Sequence, residues 1–245
     1  MRGAAGAVAF LTRVPVGAWV QLDARDVARG SVFFPLVGAV VGAASGLVAV
    51  GTARVLPAFL AATLAVVCEA ALTGAIHLDA LADLADSLGA RSRERALEIL
   101  RDPAIGAFGA VTLVVDLILK TGAFAALLAQ DGLLAVVVAS FAVGRVAPLV
   151  IGWALPYARP GEGSGRALTD EPRAWERASG LVLAGVLVFV LSGFRGLALG
   201  GAAAFGMVLI AVVAWRRLGG ATGDVLGAGI EVATLGALLA AVATA

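Results

Sequence analysis

Asp79, Asp83 and Asp86 follow one another at spacings of four and three residues in His77-Leu-Asp-Ala-Leu-Ala-Asp-Leu-Ala-Asp-Ser-Leu-Gly89, directly after a long apolar run. Those spacings put the three carboxylates on one face of a helix. Like charges this close repel, and a divalent cation offsets that repulsion. Hard oxygen donors of this kind suit Mg²⁺ or Mn²⁺. Glu69, eight residues or about two turns before His77, extends the neighbourhood. The competing reading is a solvated acidic cap on a helix end, which explains a single aspartate better than three on one face.

A second constellation lies near the other end of the chain, where Gly219-Gly-Ala-Thr-Gly-Asp224 is followed seven residues on by Glu231. Glycines at 220 and 223 let backbone N–H groups approach a phosphate, and Asp224 and Glu231 share a helical face. Buried charge is the third signal. Asp116 and Lys120 stand four apart in an apolar stretch, and Arg145 lies central in another. Ionisable groups in a span mark a site or a buried pair. An intrahelical Asp116–Lys120 pair is one reading; Arg145 has no local partner, which favours phosphate or carboxylate recognition by its planar fork. Asp102, before Pro103, is either a metal or substrate group or ordinary Asp-Pro turn chemistry. The basic, glycine-rich segment Pro156–Arg166 is either a cover for a polyanionic substrate or a plain loop. No Ser-His-Asp order, CxxC pair or Walker loop competes with these groups. Together they suit metal-assisted phosphoryl or nucleotidyl transfer at a membrane surface.

The elements that must position these residues are apolar helices. The chain has 245 residues, 61% of them hydrophobic and 14% charged, with a mean hydropathy of +1.00. That composition belongs to integral membrane proteins, and a near-neutral net charge argues against nucleic acid as a partner. Cys68 has no second cysteine with which to form an intrachain disulfide. Stretches of about twenty residues suited to a bilayer occur at 32–51, 55–76, 109–129, 133–155, 180–194, 196–214 and 225–244. The reading is an all-α polytopic bundle of about seven transmembrane helices, or six if the short fifth stretch and the sixth count as one. An N-terminal interfacial helix precedes them, since Val14-Pro-Val-Gly17 stands where a signal peptide would have its cleavage site. Gly and Ala saturate the spans, as close helix packing in lipid requires.

With seven spans, every long connection falls on the N-terminal side. Fourteen arginines lie there against Arg54 and Arg195 opposite. The positive-inside bias places the N-terminus and the long loops in the cytoplasm. Residues 1–245 form one membrane domain, in which 77–108 is a cytoplasmic acidic and basic catalytic region. Within that region Arg91–Arg101 reads as a short amphipathic helix ended by Asp102-Pro103.

Several blocks carry a family resemblance. They are Phe10-Leu-Thr-Arg-Val-Pro-Val16, Phe34-Pro-Leu-Val-Gly38, Glu69 with His77–Asp86, Arg93–Asp102 with Ile105-Gly-Ala-Phe-Gly109, and Gly219–Asp224. In order, along nearly the whole chain, they resemble the cobalamin synthase family, the adenosylcobinamide-GDP ribazoletransferases of prokaryotic inner membranes. Ala80 departs from that pattern, which usually has Gly after the first Asp. The resemblance implies a transferase that joins α-ribazole, or its 5′-phosphate, to adenosylcobinamide-GDP, releasing GMP in the last step of nucleotide-loop assembly. It implies Mg²⁺ on Asp79, Asp83 and Asp86, with Glu69 and Asp224 as further ligands or in support. His77 and Asp83 are implied as catalytic. Arg13, Arg101, Asp102, Arg145, Gly220, Gly223 and Glu231 are implied as substrate-binding. The partners expected are these two substrates and the lipid bilayer, with a homo-oligomer left open. Two other readings are weighed. CDP-alcohol phosphotransferases use similar spaced aspartates, but their DG-x-x-AR block is absent. A cation transporter would distribute acids through the membrane depth, whereas here they gather at one edge, with Asp116 and Glu231 the main exceptions.

Overall fold

The structure is a computed structural model that describes residues 2–159 and 165–244. It is all-helical; among the described residues the only β feature is an isolated parallel bridge between Tyr157 and Ala221. A short apolar helix, α1 (Arg2–Leu11), packs on α2 (Ala24–Gly30), with Gly6 against the Asp26 backbone. Asp23 caps α2, and a 3-10 turn continues the helical chain without interruption into α3 (Phe34–Thr52).

The second span departs from expectation. Hydropathy carries it to residue 76, but α4 stops at Thr73 (Ala58–Thr73), and α5 (Ile76–Ser87) leaves at 91°. Gly74 and Ala75 make this corner with φ of 64° and 55°. Ala75 holds a left-handed conformation that a residue with a Cβ rarely adopts. Gly74 has no alternative, because the Arg13 side chain occupies the space a Cβ would need. The acid-bearing helix therefore turns across the axis of α4 at one end of the bundle.

The short helix α6 (Arg93–Ile99), capped by Ser92, leads to α7 (Ala107–Leu127). The fourth span is broken into α8 (Leu133–Gly144) and α9 (Ala147–Ala154), joined at Arg145-Val146. Pro148 in the first turn of α9 cannot donate back to Gly144, which accounts for the break. A single turn, α10 (Arg166–Thr169), precedes α11 (Ala174–Ser192). The fifth span thus begins six residues before position 180 and is full length, because Glu176 accepts from the Arg173 N–H and starts the helix in polar sequence. Gly193, with φ 55°, separates α11 from α12 (Arg195–Leu218). The last helix, α13 (Gly223–Ala243), is capped by Thr222. Six helical segments have the length and apolarity to cross a membrane unaided. The bent pair α4 and α5 makes a seventh when counted as one span.

Helices approach closely where glycine allows it. Gly38 and Gly42 of α3 take the backbone and ring of Phe141 on α8, and Gly206 of α12 takes Val232 of α13. The outward faces are apolar: Val40, Ile118, Val190 and Phe205 are each more than 60% exposed, as lipid contact requires. The short α3–α4 and α7–α8 connections meet at one end, where Arg54 and Gln130 line a shared hollow. Arg195 joins that end by donating to the Ala241 carbonyl at 3.0 Å near the C-terminus. The long connections, α1 and the N-termini of α7 and α13 occupy the other end.

Candidate active site

Asp79 and Asp83 lie on the face of α5 that meets the first turn of α13. Asp224 stands in that turn, and Arg159 reaches its Oδ2 at 2.9 Å. The Thr222 hydroxyl donates to the same oxygen at 3.2 Å and accepts from the Val225 N–H, capping α13. Burial, then Asp79, Asp224 and Asp86, push the Asp83 carboxyl from its ordinary 3.8 up to about 6, with Arg159 opposing. Arg159 thus pairs with Asp224 directly and with Asp83 at longer range. A cavity of about 290 Å³ opens beside them, lined by Phe10, His77, Asp79, Gly223, Asp224 and Gly227 among others. The Ala80 methyl lies against Gly227, where a Cβ would sit 2.6 Å away. A glycine on α13 therefore makes room for the alanine at position 80.

His77 is 4% exposed, and neither ring nitrogen has a hydrogen-bond partner among the described residues. Burial, then the charges of Arg145 and Lys120, hold the imidazole well below its ordinary range. It is neutral at pH 7, with two unengaged nitrogens next to the cavity.

Asp86 has a different task. It accepts the Gly106 N–H at 2.7 Å and the Gly109 N–H at 2.8 Å, so both oxygens are engaged at the start of α7. Its carboxylate fills the space a Cβ at either glycine would take. The two glycines of Ile105-Gly-Ala-Phe-Gly109 exist for this capping contact, a non-local partnership that spacing alone does not reveal.

Glu69 and Glu231 sit away from the aspartates. Both contact the buried ammonium of Lys120, Glu69 at 3.1 Å and Glu231 more closely, while Asp116 lies 3.6 Å from it. Arg145, without a partner in local sequence, has three in the fold. It donates to the Thr234 hydroxyl at 3.2 Å, lies 3.7 Å from Glu69, and stacks 5.0 Å from the Phe141 ring centre. Glu231 does share a face with Asp224, but two turns deeper, about 10 Å along the helix.

The remaining candidates are peripheral or structural. Arg13 lies across Gly74, and its N–H donates to the Leu72 carbonyl, bracing the corner before α5. Asp102 accepts the Ala104 N–H at 3.0 Å, the turn chemistry of an Asp-Pro step. Arg101 is exposed in the same connection. Gly220 packs on the Pro156 carbonyl, and the neighbouring Ala221 N–H donates to that oxygen at 2.8 Å. The glycine run thus spends one of its N–H groups on Pro156–Ala158, and Gly165 packs against the Gly223 nitrogen. Arg159 is the functional group that sequence reasoning missed; its only signal was a place in the basic 156–166 segment, whose residues 160–164 lie outside the described residues.

Fold and site define a polytopic helical membrane protein with an acid-lined cavity at one end. A family model for cobalamin-5-phosphate synthase matches residues 3–242. An adenosylcobinamide-GDP ribazoletransferase of Thiobacillus denitrificans is 41% identical over 98% of this chain and 95% of its own. Ribazoletransferases of Pseudomonas putida (40% identical, 95% of each chain) and Klebsiella pneumoniae (37%, 96% of each) match along the same length. The chain belongs to the cobalamin-5-phosphate synthase family. No solved structure matches it.

Proposed function

We propose that this chain joins α-ribazole, or its 5′-phosphate, to adenosylcobinamide-GDP with release of GMP, at the end that carries the aspartates. The observation that carries the reading is that Asp79 and Asp224 line one cavity, with Asp83 within charge reach of both and Arg159 paired to Asp224. In the reaction, a ribose hydroxyl oxygen of ribazole bonds to the phosphorus attached to cobinamide. The bond from that phosphorus to the GMP oxygen breaks, and GMP leaves with the electron pair. The hydroxyl proton passes to a base beside the cavity, with His77 and Asp83 the candidates. Arg159, beside Asp224, faces the diphosphate and offsets its charge.

The carboxylates suit Mg²⁺ in a particular way. Among the described residues no three acid or imidazole groups converge closely enough to enclose an ion. Mg²⁺ typically takes one or two carboxylates, several waters and substrate phosphates. Asp79, Asp83 and Asp224 fit such an ion shared with substrate, whereas Asp86 is engaged by α7 and Glu69 by Lys120. When bound, the ion supplies charge neutralisation along the diphosphate.

The fourteen arginines of this end, against two opposite, support a cytoplasmic site in a prokaryotic inner membrane. The test is GMP release by purified protein from adenosylcobinamide-GDP and α-ribazole, with and without Mg²⁺. Release of CMP from a CDP-alcohol with no GMP from the corrinoid substrate would overturn the assignment.

A further inference from the structure

Beyond the aspartate cavity, the same end of the bundle holds a second pocket of opposite sign. Arg91 and Arg93, before and at the start of α6, and Arg216 and Arg217, in the last turn of α12, line a hollow of about 170 Å³ with Ala90 and Ser92. Two of the guanidinium groups are fixed by the backbone. Arg217 donates to the Leu88 carbonyl and, at 2.8 Å, to the Ala90 carbonyl. Arg93 lies against Gly219 and donates to the Ala158 carbonyl at 3.4 Å. Arg91 and Arg216 are exposed.

Among the described residues none of the four forms an ion pair. Of the acids nearby in sequence, Glu98 pairs with Arg95 at 2.9 Å, and Glu94 bonds at the start of its own helix while feeling the charge of Arg93 without forming an ion pair. Four like charges around a hollow repel one another unless an anion sits among them. The volume equals about five or six water molecules, room for a phosphate group and its ester oxygens. Planar guanidinium forks meet phosphate oxygens in pairs.

The setting matches the edge of a bilayer. Trp215, beside Arg216, is 57% exposed on the last turn of α12, and the exposed Phe108 ring packs on Gly89 at the other flank. Aromatic rings with adjacent arginines are the pattern of headgroup depth. We propose that the Arg91/Arg93/Arg216/Arg217 pocket binds a phosphate ester, drawn either from an anionic phospholipid headgroup or from a soluble phosphate. The pocket shares no lining residue with the aspartate cavity, though Arg93 reaches Ala158, next to Arg159; the proposal stands whichever reaction that cavity performs.

The test uses full-length protein in neutral detergent with two probes. One arm adds mixed micelles of phosphatidylcholine with phosphatidylglycerol and counts retained phosphatidylglycerol by native mass spectrometry. The other titrates inorganic phosphate, free of lipid, at constant ionic strength. The double variant Arg91→Gln/Arg216→Gln alters exposed side chains that hold no backbone group. Arg29→Gln/Arg95→Gln removes the same charge elsewhere on this end.

The expected result is binding by the wild type on at least one arm, about tenfold weaker in Arg91→Gln/Arg216→Gln and nearly unchanged in the control. Loss confined to the phosphatidylglycerol arm identifies a lipid headgroup; loss on the phosphate arm identifies a soluble ligand. No binding on either arm overturns the proposal, as does an equal loss in both double variants, which would reduce the pocket to diffuse surface charge.

Discussion

The molecule holds two groups of three acids that differ in what surrounds them. In the core, Glu69, Asp116 and Glu231 surround Lys120, with Arg145 beside Glu69. At the edge, Asp79, Asp83 and Asp224 gather, with Arg159 paired to Asp224. The core set is closed: two cations bind four helices together through it. The edge set is open and carries surplus negative charge over a cavity. Similar residues are thus enclosed with their cations in one place and left facing a cavity in the other.

Lys120→Met tests the closed set hardest. It leaves three carboxylates buried without their shared cation, and breaking such a set costs about 3–5 kcal/mol. The expected outcome is little folded protein, measured by monodisperse yield and thermal unfolding in detergent. Adding Glu69→Gln and Glu231→Gln to the same chain restores much of the yield.

Asp83→Asn makes the opposite demand. GMP release falls about a hundredfold or more, roughly 3 kcal/mol of lost transition-state stabilisation, while folding is intact. Near-normal turnover would remove Asp83 from the chemistry. Asp86→Ala comes next in size. It strips two capping bonds from α7 and lowers stability by about 1–2 kcal/mol, read as a lower unfolding temperature.

The smallest effect is one of pH. The Asp83 carboxyl is raised in the fold from 3.8 to about 6, so the folded state favours its protonated form. That contribution is complete below about pH 4 and is lost as pH rises through about 6. In Mg²⁺-free buffer the unfolding temperature of the wild type therefore falls across this window relative to Asp83→Asn. A parallel pH dependence in the two proteins would show that the edge set is not strained by its own charge.

Periodicity made the acid face of α5 legible, because spacings of four and three are a local property of a helix. Hydropathy made the spans legible except where local chemistry overrides it. The Gly74-Ala75 corner is apolar and invisible to a hydropathy window, and the polar first turn of α11 is helical through its capping bond. The core set was not legible. Lys120 meets Glu69 and Glu231 across 51 and 111 residues, and no local spacing encodes such a meeting. Asp86 illustrates the same limit: its spacing marked it with Asp79 and Asp83, yet Gly106 and Gly109, across the fold, decide what it does.

The acid-bearing helix is a beam pinned at both ends. Arg13 wedges its start against Gly74, and Asp86 bolts its finish to the first turn of α7. A beam held this way neither swings nor slides, so the spacing of Asp79 and Asp83 is settled once, when the chain folds. In the proposed reaction an incoming diphosphate meets charges already in register, without the reorganisation that free carboxylates in water undergo.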